Sequence, residues 1–178
     1  MLTVRDATES DLTLLREIGM QTFADSFGGE NAASNIQAYL ESSFNSDQIS
    51  RELKEEGSRF FLAFDDKTIA GYAKVRSNSP QAAGLRKNSI ELQRIYVVKN
   101  YIGKRVGAKL MQSCLDYAMQ NGYEEIWLGV WERNNKAHQF YFRWGFEKFG
   151  EQKFQLGEDA QTDWLMKKSL SVDADAKS

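Results

Sequence analysis

The stretch that decides the fold is residues 95–110, which read IYVVKNYIGKRVGAKL. Alternating apolar residues at its start predict a strand, and the apolar spacing that begins at Val106 predicts a helix. The turn between them carries Gly103 and several cations, and no acidic residue occurs from Lys99 to Gln112. A helix N-terminus favours acidic side chains because its dipole end is positive. Cations at this helix start therefore indicate a loop for an anion such as a phosphate, although an ordinary solvated basic turn fits the glycine spacing equally well.

Length and charge limit the classes of protein that fit. The chain has 178 residues, with 23 Lys plus Arg against 25 Asp plus Glu. This length predicts one domain over residues 1–170, followed by a polar tail over 171–178 that we expect to be disordered. The near-balance of charge argues against a nucleic-acid partner. One cysteine, no signal peptide and no membrane-length apolar run predict a soluble cytoplasmic protein with no membrane partner.

The order of strand-like and helix-like patterns predicts an α+β or mixed α/β fold. A helix capped by Thr8 or Ser10 is expected after the first strand, and residues 77–88 are expected to form a long loop. Further helices are expected over residues 35–44, 46–56, 106–120 and 134–144. Strands are expected over residues 2–7, 60–64, 68–75, 90–98, 126–130, 146–154 and 162–168.

The strand over residues 90–98 has an irregular apolar pattern. Ile90 and Leu92 share one parity, whereas Ile95 and Val97 share the other. Either both faces of the strand are buried, or a bulge between Leu92 and Ile95 shifts the phase. A bulge would leave backbone groups unpaired, which is common beside active sites.

A few side chains suggest chemistry, and each also has a structural explanation. Glu91, between apolar neighbours, suits a general base but equally a salt-bridged strand residue. Tyr141 lies on an apolar helix stripe that favours a core position, although its hydroxyl could serve as a general acid. Asn134 is a natural helix N-cap, and Cys114 is expected to be inert core. His138 is the only histidine and is expected on a helix surface, so neither a catalytic triad nor a metal site is indicated.

Several motifs together resemble the GCN5-related N-acetyltransferase (GNAT) superfamily, over roughly residues 2–168. They are IYV at 95–97, YIGKRVGAKL at 101–110, NNKAHQFY at 134–141 and WGF at 144–146. Three further segments are similar to the PaiA-type spermidine/spermine acetyltransferases within it. These are ELQRIYV at 91–97, WLGVWE at 127–132 and FQLGEDAQTD at 154–163.

The resemblance implies a central mixed, mostly antiparallel sheet of about seven strands, splayed like a V and flanked by helices. Acetyl-CoA would enter the split as cosubstrate, with no metal ion. Tyr141 would be the general acid for the CoA thiolate, and Glu91 would act as base directly or through water. The implied cofactor-binding residues are Ile95, Tyr96, Val97, Ile102, Gly103, Lys104, Arg105, Val106, Gly107, Ala108, Asn134 and Tyr141.

The loop departs from the family pattern at two positions. Ile102 stands where the family usually has Gln or Arg, and Arg105 stands where it has a glycine. We expect Arg105 to keep the loop intact by adopting a helical backbone at the helix start.

The resemblance implies direct transfer of an acetyl group to a primary amine, and a polyamine such as spermidine or spermine is the first choice. Acidic residues that would form the acceptor walls support this choice, although solvated helix faces explain most of them. Alternatives are another amine (a peptide N-terminus, an amino sugar or a small metabolite), or a regulator that binds acetyl-CoA without turnover. A homodimer is one assembly that the resemblance implies. The acidic residues are Asp25, Glu30, Glu41, Asp47, Glu52, Glu55, Glu56, Glu158, Asp159 and Asp163.

Overall fold

One seven-stranded sheet organises the protein, with strand order β1-β2-β3-β4-β5-β7-β6. The computed structural model describes residues 1–29, 31–80 and 82–170. The predicted tail over 171–178 lies outside the described residues. The strands are β1 (Leu2–Asp6), β2 (Ser58–Asp65), β3 (Thr68–Arg76), β4 (Ser89–Val97), β5 (Glu125–Trp131), β6 (Glu147–Leu156) and β7 (Asp159–Ser169). The helices are α1 (Leu12–Phe27), α2 (Ala33–Ser43), α3 (Ser46–Lys54), α4 (Val106–Gln120) and α5 (Asn135–Arg143).

The pairing of β4 with β5 is the only parallel pairing among the described strands, and it is short. It joins Ser89–Glu91 to Glu125–Trp127, after which the two strands no longer pair. The other neighbours are antiparallel, so the sheet is mixed, mostly antiparallel and open in the middle. This architecture confirms the predicted fold class and the V-shaped split.

A β-bulge at Gln93 explains the irregular apolar pattern of β4. Arg94 pairs with Lys74 and Leu92 pairs with Val75, so Gln93 has no counterpart on β3. The extra residue shifts the phase, and Ile90, Leu92, Ile95 and Val97 all pack into the same core. Of the two predicted alternatives, the bulge is therefore confirmed.

Two cores lie on opposite faces of the sheet. On one face α4 packs Leu110, Met111 and Cys114 against the strands, and Cys114 is fully buried as predicted. On the other face α1, α2 and α3 pack Ile18, Phe44 and other apolar residues against β2, β3 and β4. The bulge places Arg94 and Tyr96 on this second face, where Phe44 lies under Arg94.

The expected surface position of His138 is wrong. His138 is buried, its ring stacks on Trp164 with centroids 3.9 Å apart, and Nε2 lies 3.0 Å from the Trp131 carbonyl oxygen. Helix periodicity alone does not show that Trp164, distant in sequence, covers this side of α5. Burial lowers the pKa of His138, which favours the neutral ring.

Most expected elements are present, and some have shifted ends. The first helix begins with a 3-10 turn over Glu9–Asp11, where the Thr8 N–H donates to Asp11 Oδ2 at 2.8 Å. The last hairpin is longer than expected, because β6 and β7 meet at a two-residue turn in which Gly157 has φ of 59°. Within the described ranges, no helix is both long and apolar enough to cross a membrane.

We expect Gly19→Ala to destabilise the fold. A Cβ on buried Gly19 would overlap the Phe44 ring, and that ring also supports Arg94. Overpacking of this kind lowers the free energy of unfolding by about 1–3 kcal/mol, which a urea titration measures. Gly29→Ala is the matched control, because a Cβ on Gly29 meets no described atom within 4 Å. Equal stabilities for the two variants would contradict the expected clash.

Candidate active site

The split between β4 and β5 forms a cleft with a volume of about 250 Å³. Because the strands stop pairing after Glu91 and Trp127, their facing backbone groups beyond that point have no partner strand. Ile95, Tyr96 and Val97 line one side, and Gly129, Val130 and Trp131 line the other. The split therefore offers hydrogen-bonding backbone groups to an extended ligand.

Tyr141 and Asn134 both reach this cleft from α5. Tyr141 is buried, with its ring centroid 5.7 Å from that of Phe146, so it belongs to the core and to the cleft lining at once. Burial raises the pKa of the Tyr141 phenol, which keeps its hydroxyl protonated. Asn134 caps α5, since its Oδ1 accepts the Ala137 N–H at 3.1 Å. The predicted core position of Tyr141 and the predicted N-cap role of Asn134 are both confirmed, and both residues also line the split.

The loop before α4 has a shape suited to an anion. Gly103 has φ of 84° and Arg105 has φ of 67° with ψ of 9°, so two left-handed residues flank Lys104. The expectation that Arg105 is helical is wrong: it is the residue before the first helical one and takes the conformation that a glycine would take. Such alternation turns successive backbone N–H groups toward one point, and the first N–H groups of α4 also lack intrahelical partners.

A second cavity, of about 510 Å³, lies against this loop and is called the loop cavity below. Ile102 lines both the loop cavity and the split, so the two are adjacent. Ile102 is 64 % exposed although it is apolar. Among the described residues, no acidic side chain lines the loop cavity. Its lining residues are Val97, Tyr101–Gly103, Arg105–Ala108, Lys136, Gln139, Phe140 and Arg143.

Glu91 is buried and paired. Its Oε2 lies 2.6 Å from Arg76 Nε, and it is not among the described residues that line the split. The structure thus agrees with the salt-bridged alternative, and the role of Glu91 as a base stays a prediction.

Asp163 is the carboxylate that lines the split. It lies on β7 opposite Trp131, and a Cβ on Gly129 would stand 3.3 Å from its Oδ2, so glycine leaves space beside the carboxylate. Burial raises the pKa of Asp163 to about 6. The sequence placed Asp163 among the acidic wall residues and gave no sign of this environment.

A third and larger cavity, of about 660 Å³, lies next to the split on the side of α2 and α3. This large cavity shares Tyr39, Gln93 and Arg94 with the split. Three buried charged residues, Glu52, Lys74 and Arg94, line it and pack together. Burial, followed by repulsion from Arg94, lowers the pKa of Lys74 to about 8.

Most of the expected acidic wall is solvated. Only Glu52 and Glu55 line the large cavity and only Asp163 lines the split. Glu30 lies outside the described residues. The exposed members are Asp25, Glu41, Asp47, Glu55, Glu56, Glu158 and Asp159.

Sequence reasoning missed Lys74 and Arg94. Each carried a usable signal, because each is a cation between apolar residues inside a predicted strand. A buried cation needs a partner, and the partner, Glu52, comes from a distant helix.

Comparison with known proteins agrees with this geometry. The sequence profile of the acetyltransferase (GNAT) family matches residues 21–146. The chain belongs to this family. GNAT enzymes use acetyl-CoA, and this GNAT protein is accordingly an acetyl-CoA-dependent N-acetyltransferase.

Its relatives include an N-acetyltransferase of Lactobacillus delbrueckii subsp. lactis, from the pepI 3' region, with 35% identity over 92% of this chain and 94% of that protein. N-acetylaspartate synthetase of Xenopus tropicalis is 31% identical over 65% of this chain and 41% of its own length. Spermidine N(1)-acetyltransferase of Thermoplasma acidophilum is 22% identical over 82% of this chain and 88% of that protein. The crystal structure of the PaiA N-acetyltransferase of Thermoplasma acidophilum with coenzyme A matches the fold with a TM-score of 0.75. It is 21% identical and covers 95% of this chain and 99% of that chain.

Proposed function

We propose that the protein transfers the acetyl group of acetyl-CoA directly to a primary amine inside the split. The observation that carries this proposal is the adjacency of the three cavities. Ile102 lines both the loop cavity and the split, and Arg94 lines both the split and the large cavity. A cofactor entering at the loop and an acceptor entering at the large cavity would therefore meet between β4 and β5, which places the reactants together.

The loop and the strand backbones fit the two polar parts of CoA. Backbone N–H groups from Ile102 to Ala108 would hold the pyrophosphate, with the cations Lys104 and Arg105 nearby. Backbone groups of Ile95, Tyr96 and Val97, together with Asn134, would hold the pantetheine arm. Bound acetyl-CoA supplies an activated acetyl thioester. A β4 N–H that donates to the thioester carbonyl oxygen would stabilise charge developing there.

Tyr141 suits the role of general acid. Its protonated hydroxyl lines the split and would donate to the departing thiolate sulfur as the carbon–sulfur bond breaks. The thiolate would form in the same desolvated space, where burial raises a thiol pKa too, as the raised pKa of buried Cys114 illustrates. Burial therefore raises the pKa of the proton donor, the Tyr141 phenol, together with that of the thiol formed from the proton acceptor, the CoA thiolate.

Asp163 suits the role of general base better than Glu91. An aliphatic amine has a pKa of about 10, so it must lose a proton before it attacks the thioester carbon. The Asp163 carboxylate lines the split and can take that proton, with a pKa of about 6 that leaves it ionised at neutral pH. Glu91 is held by Arg76 and would act only through water.

A polyamine is the second, narrower candidate. It is favoured by the similarity to the spermidine acetyltransferase, and opposed by the sparse acidic lining of the cavities. A non-catalytic regulator is less favoured, because Arg105 keeps the left-handed shape that the family's glycine would provide. The single buried cysteine fits a cytoplasmic location, and a homodimer stays a prediction.

We expect Gly103→Ala to weaken CoA binding. Gly103 and Gly122 are both left-handed, and a Cβ on either meets no atom within 4 Å, so the backbone strain from alanine is alike, about 1–3 kcal/mol. Gly122 follows α4 at its opposite end, which makes Gly122→Ala the control. Calorimetric titration with CoA should show lower affinity for the Gly103 variant alone. Equal loss of affinity in both variants would contradict a role for the loop.

We expect Tyr141→Phe to reduce kcat by about 10²-fold or more while CoA affinity stays unchanged, because only the proton donor is removed. The assay measures thiol release from acetyl-CoA in the presence of an amine that the protein acetylates. Tyr117→Phe, a change on α4 outside the split, is the control. An unchanged kcat for Tyr141→Phe would remove Tyr141 from the acid role.

The pH profile tests Asp163. A base with a pKa of about 6 becomes protonated and inactive below that pH. A plot of log kcat/KM against pH should therefore fall more steeply, as the pH is lowered, below a pH of about 6. Asp163→Asn should lower kcat and abolish this steepening. Glu91→Gln, which keeps the shape of the residue beside Arg76, should leave it in place. If Glu91→Gln removes the steepening and Asp163→Asn does not, Glu91 is the base.

A further inference from the structure

We propose that the large cavity binds an amine that also carries a carboxylate, of the amino-acid class, and that Arg94 grips the carboxylate. This inference rests on the proposed acetyl transfer, because it names the acceptor of that reaction. The charged side chains around the large cavity are mostly cations, whereas a polyamine would require anions.

The innermost wall of the cavity carries more positive than negative charge. Lys74 and Arg94 both pair with Oε1 of Glu52, the first through a hydrogen bond and the second at 3.1 Å. Side-chain exposure is 1 % for Lys74, 8 % for Arg94 and 6 % for Glu52. Two buried cations thus face one carboxylate, and an additional anion would offset the repulsion between them.

Arg94 lines both the split and the large cavity. Its Nη1 is buried 3.1 Å from Glu52 Oε1, in an ion pair without hydrogen-bond geometry, so the other nitrogens of the guanidinium are the ones that would meet a ligand. Phe44 supports the guanidinium from below, with 4.9 Å between Cζ and the ring centroid. A guanidinium fork matches a carboxylate in geometry and binds it through two parallel hydrogen bonds.

The outer wall of the cavity adds a further cation. Arg51 is exposed and donates a hydrogen bond to the neutral Gln48 Oε1 at 2.8 Å. The other two cations have carboxylate neighbours outside the cavity: Arg76 pairs with Glu91, and Lys54 lies 3.9 Å from Glu9. Glu55 is the one carboxylate among the described residues of the outer wall, and the positive charges of Lys74 and Arg76 act on it, so the lining keeps an excess of cations.

A polyamine fits this arrangement poorly. Its second ammonium group would need a free carboxylate, but Glu52 already pairs with two cations through Oε1. An amino acid fits instead, because Arg94 lines both the split and the large cavity. Its carboxylate on Arg94 would hold its amine toward Asp163 in the split, where the amine loses a proton and the new carbon–nitrogen bond forms.

The first test compares matched acceptors at saturating acetyl-CoA. L-Aspartate and L-glutamate are assayed beside amides that lack both carboxylates, L-asparagine amide and L-glutamine amide, and beside spermidine, with acetylated product measured by mass spectrometry. We expect kcat/KM to be about tenfold or more higher for a carboxylate-bearing amine than for its amide. A higher value for the amides or for spermidine would overturn the inference and leave the proposed acetyl transfer intact.

The second test uses variants with L-aspartate as probe. Arg94→Gln should raise KM for L-aspartate about tenfold to a hundredfold and KM for L-asparagine amide much less, because it removes the carboxylate contact. Arg51→Gln, an exposed change that does not disturb the buried pair, should raise KM a few-fold. Lys67→Gln, on the exposed turn after β2, is the control and should change neither constant. Unchanged KM values in both arginine variants would overturn the inference.

Calorimetry distinguishes a failure of the proposed acetyl transfer from a failure of the proposed amino-acid binding. Aspartate is titrated into protein loaded with CoA, and CoA into the free protein. If CoA binds and no amine of any charge is acetylated, the proposed transfer fails. If aspartate also does not bind the CoA-loaded protein, this inference fails independently.

Discussion

The end of the β4–β5 pairing is the constraint on which the rest of the site depends. Parallel hydrogen bonds hold the strands together through Glu91 and Trp127, and beyond them the strands diverge. The bulge at Gln93 accompanies this divergence, because an extra residue twists and bends a strand. One opening thereby receives backbone groups for a cofactor arm, the Tyr141 hydroxyl and the Asp163 carboxylate.

The bulge also sorts side chains between the two faces of the sheet. Ile95 and Val97 turn to the α4 side, while Arg94 and Tyr96 turn to the side of α1, α2 and α3. Without the extra residue, every later side chain of β4 would point to the opposite face. Arg94 thus reaches Glu52 and Phe44, and the two faces of the sheet beside the split acquire different chemistry.

Local patterns in the sequence predicted a large part of this arrangement. The apolar periodicity of residues 106–120 defines α4 with the observed ends, while the anion-binding role of the acid-free basic turn before it stays a prediction. The change of apolar parity along β4 left two alternatives, a bulge or burial of both strand faces, and the structure has the bulge. Arg105 shows where local reasoning failed: a residue just before a helix was expected to be helical, yet the loop demands a left-handed backbone there.

The sequence by itself determined the order of elements, the GNAT motifs and the reaction type, because these depend on residues adjacent along the chain. Only the tertiary structure decided which charged side chains face the reaction. It paired Glu91 with Arg76, covered His138 with Trp164 and brought Lys74 and Arg94 onto one oxygen of Glu52. These contacts join residues far apart in sequence, and burial changes their electrostatics by amounts that composition does not reveal. A net charge of −2 therefore conceals a cavity whose inner wall is cationic.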